Sequence, residues 1–289
     1  MKLGIVTPVV TALPRAHARW EEDAGIDEIE RAVVEAERLG YEHATCSEHV
    51  AIPEADAAIR GATYWDPLAT LSYLAARTST IRLATFVLVV GYHHPLAIVK
   101  RYGTLDRISG GRLILGLGVG SLEPEFSLLG AAFDDRGERG DDAIRAVRAS
   151  WGHEHPEYHG SHYDISGFVV RPTAGRHDIP VWIGGSTRRS LRRAVELGHG
   201  WAPFGMSPAE VAAALDDARS TDAWEARSTP LDVALQPDRL DPLDDPDGVR
   251  SVVDAAAAAG ATDLNVRFVH HSIDHYCEQM AALRELVPR

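Results

Sequence analysis

The chain has 289 residues, 45% of them hydrophobic and 25% charged, with a formal net charge of −13 and a pI near 5.5. That length suits one domain with a large buried core. The acidic balance argues against a nucleic-acid partner or an anionic membrane surface, both of which select a basic face. Two cysteines, Cys46 and Cys277, make no disulfide framework and have no second Cys at short spacing for a metal; they point to a reducing cytoplasm.

In chain order, short apolar runs alternate with longer helical patterns, the mark of parallel α/β architecture. Met1-Lys2 followed by the apolar stretch from Leu3 to Leu13 has the outline of a secretory signal. Thr7-Pro8 interrupts it, however, and the basic region is a single Lys, so Leu3–Thr7 is taken as a buried first strand. No run approaches the ~18 apolar residues of a membrane span. A helix over Gly25–Leu39 puts Ile29, Val33, Ala36 and Leu39 on one face, and Gly40 ends it. Strand 2 is His43–Cys46. Asp66-Pro67 opens the next helix, with Asp as cap and Pro in the first turn. Strand 3 is Ile81–Phe86, followed by a helix over Pro95–Ile108; strand 4 is Arg112–Gly116, followed by a helix over Asp134–Trp151.

The stretch from His153 to His177, rich in His, Gly and Pro, fits no simple unit and predicts an insertion near the barrel mouth. Strands over Val181–Ile183, Gly200–Ala202, Leu231–Leu235 and Asp263–Val269 follow. Their helices are expected at Thr187–Leu197, Pro208–Ala218, Asp247–Ala259 and Ile273–Leu286. Eight βα units predict a single (β/α)8 TIM barrel over residues 1–289, with the 153–177 insertion after the fourth unit; a doubly wound open sheet is the alternative.

In a barrel the chemistry sits where strands end and βα loops begin. Those positions hold Ser47-Glu48-His49 after strand 2, Gly116-x-Gly118-x-Gly120 after strand 4 and Gly184-Gly185-Ser186-Thr187 after strand 5. The last reads as a phosphate cradle, because glycines before a helix leave N–H groups facing outward and the two hydroxyls add donors; the alternative is an ordinary capped turn. The triple-glycine run has the wrong spacing for a dinucleotide fingerprint. Its small residues, Gly118 among them, are expected to keep the mouth open for a flat ligand. His49 is either a catalytic or coenzyme-contacting imidazole or a structural histidine at a strand end. Glu48 is an acid/base candidate or an ion-pair member. His153, His155, His159 and His162 suggest a metal cluster, but they fall outside the strand ends, so a solvated loop is expected and no metal is assigned.

Several blocks in order resemble the luciferase-like superfamily, in the branch that uses the deazaflavin coenzyme F-420. They are Ser47 to Pro53, His94 through Leu105-Asp106-Arg107-Ile108-Ser109-Gly110-Gly111-Arg112 to Gly120, Glu125-Phe126, Gly130, Arg136, Pro180 to Ser186, and Gly198 to Trp201. The resemblance implies a tricyclic ring across the barrel mouth, over the ends of strands 2 to 4, with His49 at its reacting edge. Thr85-Phe86 stands where relatives carry a bulge with a non-prolyl cis peptide, and Gly184, Gly185, Ser186 and Thr187 would take the phosphate. It also implies a homodimer. His199 replaces the usual Asp of a Gly-Asp-Gly-Trp run, Glu48 replaces the commoner Asp, and Ser121 stands where sugar-phosphate dehydrogenases of the family have a glutamate, which argues against such a substrate. The expected activity is hydride transfer between F-420 and a small organic substrate. The alternatives are an FMN-dependent monooxygenase, a flavin-binding barrel without turnover and, last, a metal hydrolase.

Overall fold

The computed structural model describes residues 1–14 and 16–288. Eight parallel strands are each hydrogen-bonded to their neighbours in sequence. They are β1 (Lys2–Val6), β2 (His43–Cys46), β3 (Arg82–Thr85), β4 (Leu113–Gly118), β5 (Val181–Gly184), β6 (Gly200–Ala202), β7 (Asp232–Leu235) and β8 (Asp263–Val266). β8 pairs back with β1, Lys2 opposite Asp263 and Ile5 opposite Val266, and this closes the sheet into a barrel and removes the open-sheet alternative. Every strand is followed by a helix: α1 (Ile26–Leu39), α2 (Pro67–Arg77), α3 (Pro95–Ile108), α4 (Arg136–Ser150), α5 (Arg188–Leu197), α6 (Pro208–Arg219), α7 (Pro246–Ala258) and α8 (Ile273–Leu286).

The helix ends follow their local chemistry. Gly25 heads α1, and Glu28 Oε2 accepts its N–H at 2.8 Å; Gly40 closes the helix at φ 77°, a left-handed turn that a Cβ would disfavour. Asp66 caps α2 by accepting the Ala69 N–H at 2.8 Å. Ser207 and Glu210 form a reciprocal capping box at α6. Among the described residues no helix is long and apolar enough to cross a membrane.

Outward-facing side chains of the strands pack on the helices in one continuous core. The lumen is divided. Ala84, Ile114, Trp182, Ala202 and Ala234 of β3 to β7 make an apolar half, which Phe86 joins from above. Polar groups on β1, β2, β7 and β8 fill the other half. Lys2 bridges Asp232 and Asp263 at the floor, His43 packs edge-on against Trp182 at 5.1 Å, and Asn265 Nδ2 donates to Thr45 Oγ1 at 3.4 Å. The His43 ring fills the space where a side chain on Gly4 would stand, and burial pushes its pKa down to about 3, so the ring is neutral.

The 153–177 segment carries an antiparallel hairpin, Tyr158–His159 with Asp164–Ile165, that runs along α4. Asp142 of α4 organises it, accepting the N–H groups of His162 at 2.7 Å and Tyr163 at 3.1 Å and the Tyr158 hydroxyl. The hairpin tip reaches the N-terminal ends of α3 and α4, where Tyr163 meets the His94 ring. The return strand descends to the foot of β4, where Arg176 pairs with Asp106 at 2.8 Å and donates to the Leu113 carbonyl at 2.9 Å.

Candidate active site

The C-terminal ends of the strands surround a mouth whose centre is crossed by the chain leaving β3. Thr85 ends that strand and donates its hydroxyl to the Gly116 carbonyl at 2.7 Å, while the Phe86 N–H donates to Cys46 O at 2.8 Å. The Phe86–Val87 peptide is cis, one residue beyond the expected Thr85-Phe86 pair. The chain then re-forms a short strand, Leu88–Val89, against the last turn of β4.

This crossing explains the glycines. A Cβ on Gly116 would stand 2.0 Å from the Thr85 carbonyl oxygen. On Gly118 it would stand 2.6 Å from Val87 Cγ2, and on Gly184 2.8 Å from Val87 Cγ1. Gly118 therefore makes room for Val87, a neighbour within the protein, where the sequence had suggested room for a ligand.

His49 lies on the rim just after β2, with a fifth of its side chain exposed. Its Nδ1 is 2.6 Å from Glu125 Oε2 and its ring stands edge-on to Tyr64, with centroids 4.6 Å apart. Glu125 comes from the short helix Glu123–Leu128 that follows β4, and its carboxylate is sealed from solvent. Oε1 accepts the N–H groups of Val50 at 2.6 Å and Ala51 at 3.2 Å; Oε2 also accepts the Tyr92 hydroxyl at 2.6 Å. Burial alone would raise the Glu125 pKa. The hydrogen bonds from Tyr92, His49, Val50 and Ala51 outweigh it and hold the carboxyl below its ordinary range. An ionised Glu125 can only accept, so the His49 proton sits on Nδ1, and Nε2 has no partner among the described residues.

Glu48 turns the other way. Its Oε2 accepts the Val89 N–H at 2.7 Å and its Oε1 meets His93 Nε2 at 2.7 Å, so it fastens the β3 crossing to the rim. Both oxygens are committed and the side chain is buried. The two residues singled out after strand 2 thus have separate partners, and the acid beside His49 is Glu125. Sequence reasoning placed Glu125 in a motif and gave it no role. The available signal was its spacing: Leu122, Glu125 and Phe126 share one helical face, which puts a charge on the buried side.

At the far side of the mouth, β5 leads into α5 through Gly184, Gly185, Ser186 and Thr187. Gly185 has φ 126°, and a Cβ there would meet Ser190 Cβ at 2.9 Å. Its N–H donates to Ala202 O at 3.3 Å. Thr187 caps α5: its Oγ1 accepts the Ser190 N–H, and its own N–H donates to Ser190 Oγ, both at 3.1 Å. The Thr187 N–H is therefore spent inside the turn. The donors left facing solvent are the Ser186 N–H and hydroxyl and the first-turn N–H groups of Arg188 and Arg189. His199 lies at the opposite end of the barrel, where its Nδ1 accepts the Val181 N–H at 3.1 Å; burial lowers its pKa, and the ring stands in for the expected Asp as a neutral acceptor. Among the described residues no three His, Cys, Asp or Glu side chains are grouped to hold a metal ion.

A family profile described as luciferase-like monooxygenase matches residues 1–239. A Mycobacterium tuberculosis protein provisionally named as a coenzyme F420-dependent oxidoreductase is 31% identical over 155 residues, which is 50% of this chain and 45% of that protein. An FMNH2-dependent dimethylsulfone monooxygenase of Pseudomonas putida is 26% identical over 203 residues, 68% of this chain and 54% of that protein. The matched stretches span about half of these two relatives' own lengths, 45% and 54%. In three dimensions the crystal structure of monooxygenase RslO1 from Streptomyces bottropensis superposes with a TM-score of 0.81 at 22% identity, covering 99% of this chain and 98% of that one.

Proposed function

The chain belongs to the luciferase-like monooxygenase family, and on that premise we propose that it is an oxidoreductase that binds coenzyme F-420 at the barrel mouth and transfers hydride between it and a small organic substrate. The observation that carries this reading is His49. Its Nδ1 is locked to a buried carboxylate and its Nε2 is free at the rim, the arrangement that fixes a proton acceptor or donor in one tautomer.

The residues fit the coenzyme at both ends. The Ser186 N–H and hydroxyl and the first-turn N–H groups of Arg188 and Arg189 offer converging donors for a phosphate at a helix N-terminus. Phe86 and Val87 form an apolar ridge for a flat ring, and Tyr64 walls the side next to His49. When bound, the deazaflavin would supply two-electron hydride chemistry. His49 Nε2 would hold or deliver the proton that accompanies it. Glu125 would keep that nitrogen aimed, and the Phe86–Val87 ridge would exclude water from one face.

A second reading, an FMN-dependent monooxygenase, is favoured by the Pseudomonas relative. Both coenzymes carry a ring and a phosphate, so the cradle serves either. Titration of each coenzyme into the purified protein, followed by the absorbance band of the bound species, separates them. Tight binding of F-420 with weak FMN binding supports the first reading, and the reverse result replaces it with the second. Gly185→Asp places an anion in the cradle and is expected to weaken either coenzyme by about tenfold or more. Unchanged affinity removes the phosphate assignment.

A further inference from the structure

The polar half of the lumen ends at the mouth in a cation that no carboxylate among the described residues hydrogen-bonds. Arg267 follows β8 in the same alternation as Asp263 and Asn265, which directs it to the lumen side at the rim. Its Nε is sealed from solvent and has no hydrogen-bond partner. Among the described residues, most of the other arginines drawn into the fold donate hydrogen bonds, and Arg82 lies 3.9 Å from Glu42. Arg112 donates to the Thr78 hydroxyl and to four backbone carbonyls, Arg176 to Asp106, Arg193 to Asp141, and Arg227 to the carbonyls that end α5. Burial pushes the Arg267 guanidinium below its ordinary range, and the groups that favour its charge are Tyr276, Glu21 and Tyr64.

Glu21 acts on it through space but makes no hydrogen bond to it, because both of its oxygens meet other donors. Oε2 accepts the Val9 N–H at 2.7 Å, Oε1 accepts the Ala18 N–H at 2.6 Å, and His270 Nε2 stands 3.5 Å from Oε1. Glu48 and Glu125 are held by the rim in the same way. The mouth therefore contains three carboxylates hydrogen-bonded to other groups and one guanidinium whose sealed Nε has no acceptor among the described residues. A half-buried guanidinium with an unsatisfied donor is costly to maintain, and a bound anion would relieve that cost.

We propose that Arg267 is the anchor for a carboxylate on the substrate, so that this enzyme acts on a small organic acid. The forked guanidinium matches a two-oxygen planar anion, and Tyr64 puts it on the same side of the mouth as His49. The opposite wall, Phe86 and Val87, is left to the ring. The inference rests on the coenzyme reading only for the word substrate; the anion site itself can be tested without coenzyme.

The probe is benzoate, with benzamide as its uncharged match, added to the purified full chain with and without coenzyme. Thermal melting and binding calorimetry are read on wild type, Arg267→Met and Arg267→Lys. Benzoate is expected to raise the melting temperature of wild type, and benzamide to leave it unchanged. Arg267→Met is expected to bind benzoate about tenfold more weakly or worse, and to melt without probe at or above the wild-type temperature, because a buried charged group with an unsatisfied donor is gone. Arg267→Lys should keep part of the response. Equal benzoate binding by wild type and Arg267→Met overturns the proposal, as does no response in wild type. A loss of coenzyme affinity in Arg267→Met with no benzoate effect also overturns it, by assigning the arginine to the coenzyme. A benzoate response that depends on Arg267 in a protein that binds neither coenzyme leaves the anion site standing and removes the coenzyme reading.

Discussion

His49 Nδ1 and Glu125 Oε2, 2.6 Å apart, tie the end of β2 to the short helix after β4 across the β3 crossing. The contact has a polarity. Glu125 meets two backbone N–H groups on one oxygen, and His49 with the Tyr92 hydroxyl on the other. Glu125→Gln should keep its carbonyl oxygen on the backbone pair, which turns its NH2 group toward His49 and Tyr92. His49 would then have to accept at Nδ1 and carry its proton on Nε2. The measurement is the tautomer, read from imidazole nitrogen shifts in the wild type and the variant. An unchanged tautomer would show that the carboxylate does not set it. Turnover of Glu125→Gln should fall by a factor on the order of 10²–10⁴, as for His49→Ala, if Nε2 acts as a base.

Val87 and Gly118 are expected to behave as one unit. Gly118→Ala puts a methyl group 2.6 Å from Val87 Cγ2 and should destabilise the fold by about 1–3 kcal/mol. Val87→Ala in the same chain should recover most of that loss. A double-mutant cycle from denaturant melts checks this, and strict additivity of the two changes would break the link.

Stability should decline on acidification. Burial, the largest cause in each case, lowers the pKa of His43 to about 3 and that of His270 to about 4, from an ordinary value of 6.5. Below 6.5 the unfolded chain takes up protons that the folded chain refuses, so the stabilisation is full above 6.5 and is lost as the pH falls toward these lowered values. Two histidines of this kind imply a loss on the order of 2–4 kcal/mol between about pH 7 and pH 5. Denaturant melts across that range measure it, and His43→Gln should flatten the slope. A flat profile in wild type would mean that neither ring is held neutral.

Asp142→Ala removes the acceptor for the Tyr158 hydroxyl and for two N–H groups of the hairpin. It should leave the barrel folded and loosen the hairpin from α4, with faster limited proteolysis inside 155–170 as the readout. Cleavage at the wild-type rate would assign the hairpin's order to its other contacts.

The barrel was legible in the sequence because strand and helix periods, capping residues and Gly stops agreed locally: His43–Cys46, Gly200–Ala202, Pro95–Ile108 and Ile273–Leu286 were bounded to the residue. The site was legible only as far as strand ends could be counted. His49 and the Gly184–Thr187 turn follow from position in a βα unit, whereas the partner of His49 comes 76 residues later and is fixed by packing. Arg267 had a signal that was passed over: Asp263, Asn265 and Arg267 alternate with apolar residues, the pattern of a strand with a polar lumen face. The roles of Gly116 and Gly118 could not be read, since the atoms that need their space, the Thr85 carbonyl and the Val87 side chain, come from a distant stretch of the chain.

That shared space carries a consequence for how such chains can diverge. Val87, Gly118 and Gly184 come from three different stretches of sequence and compete for one volume. Enlarging either glycine requires Val87 to shrink first, while trimming Val87 first frees both glycines to change later. The order in which substitutions accumulate at this mouth is therefore constrained, and in descendants of this sequence the residue at 87 is the one that must move before its neighbours can.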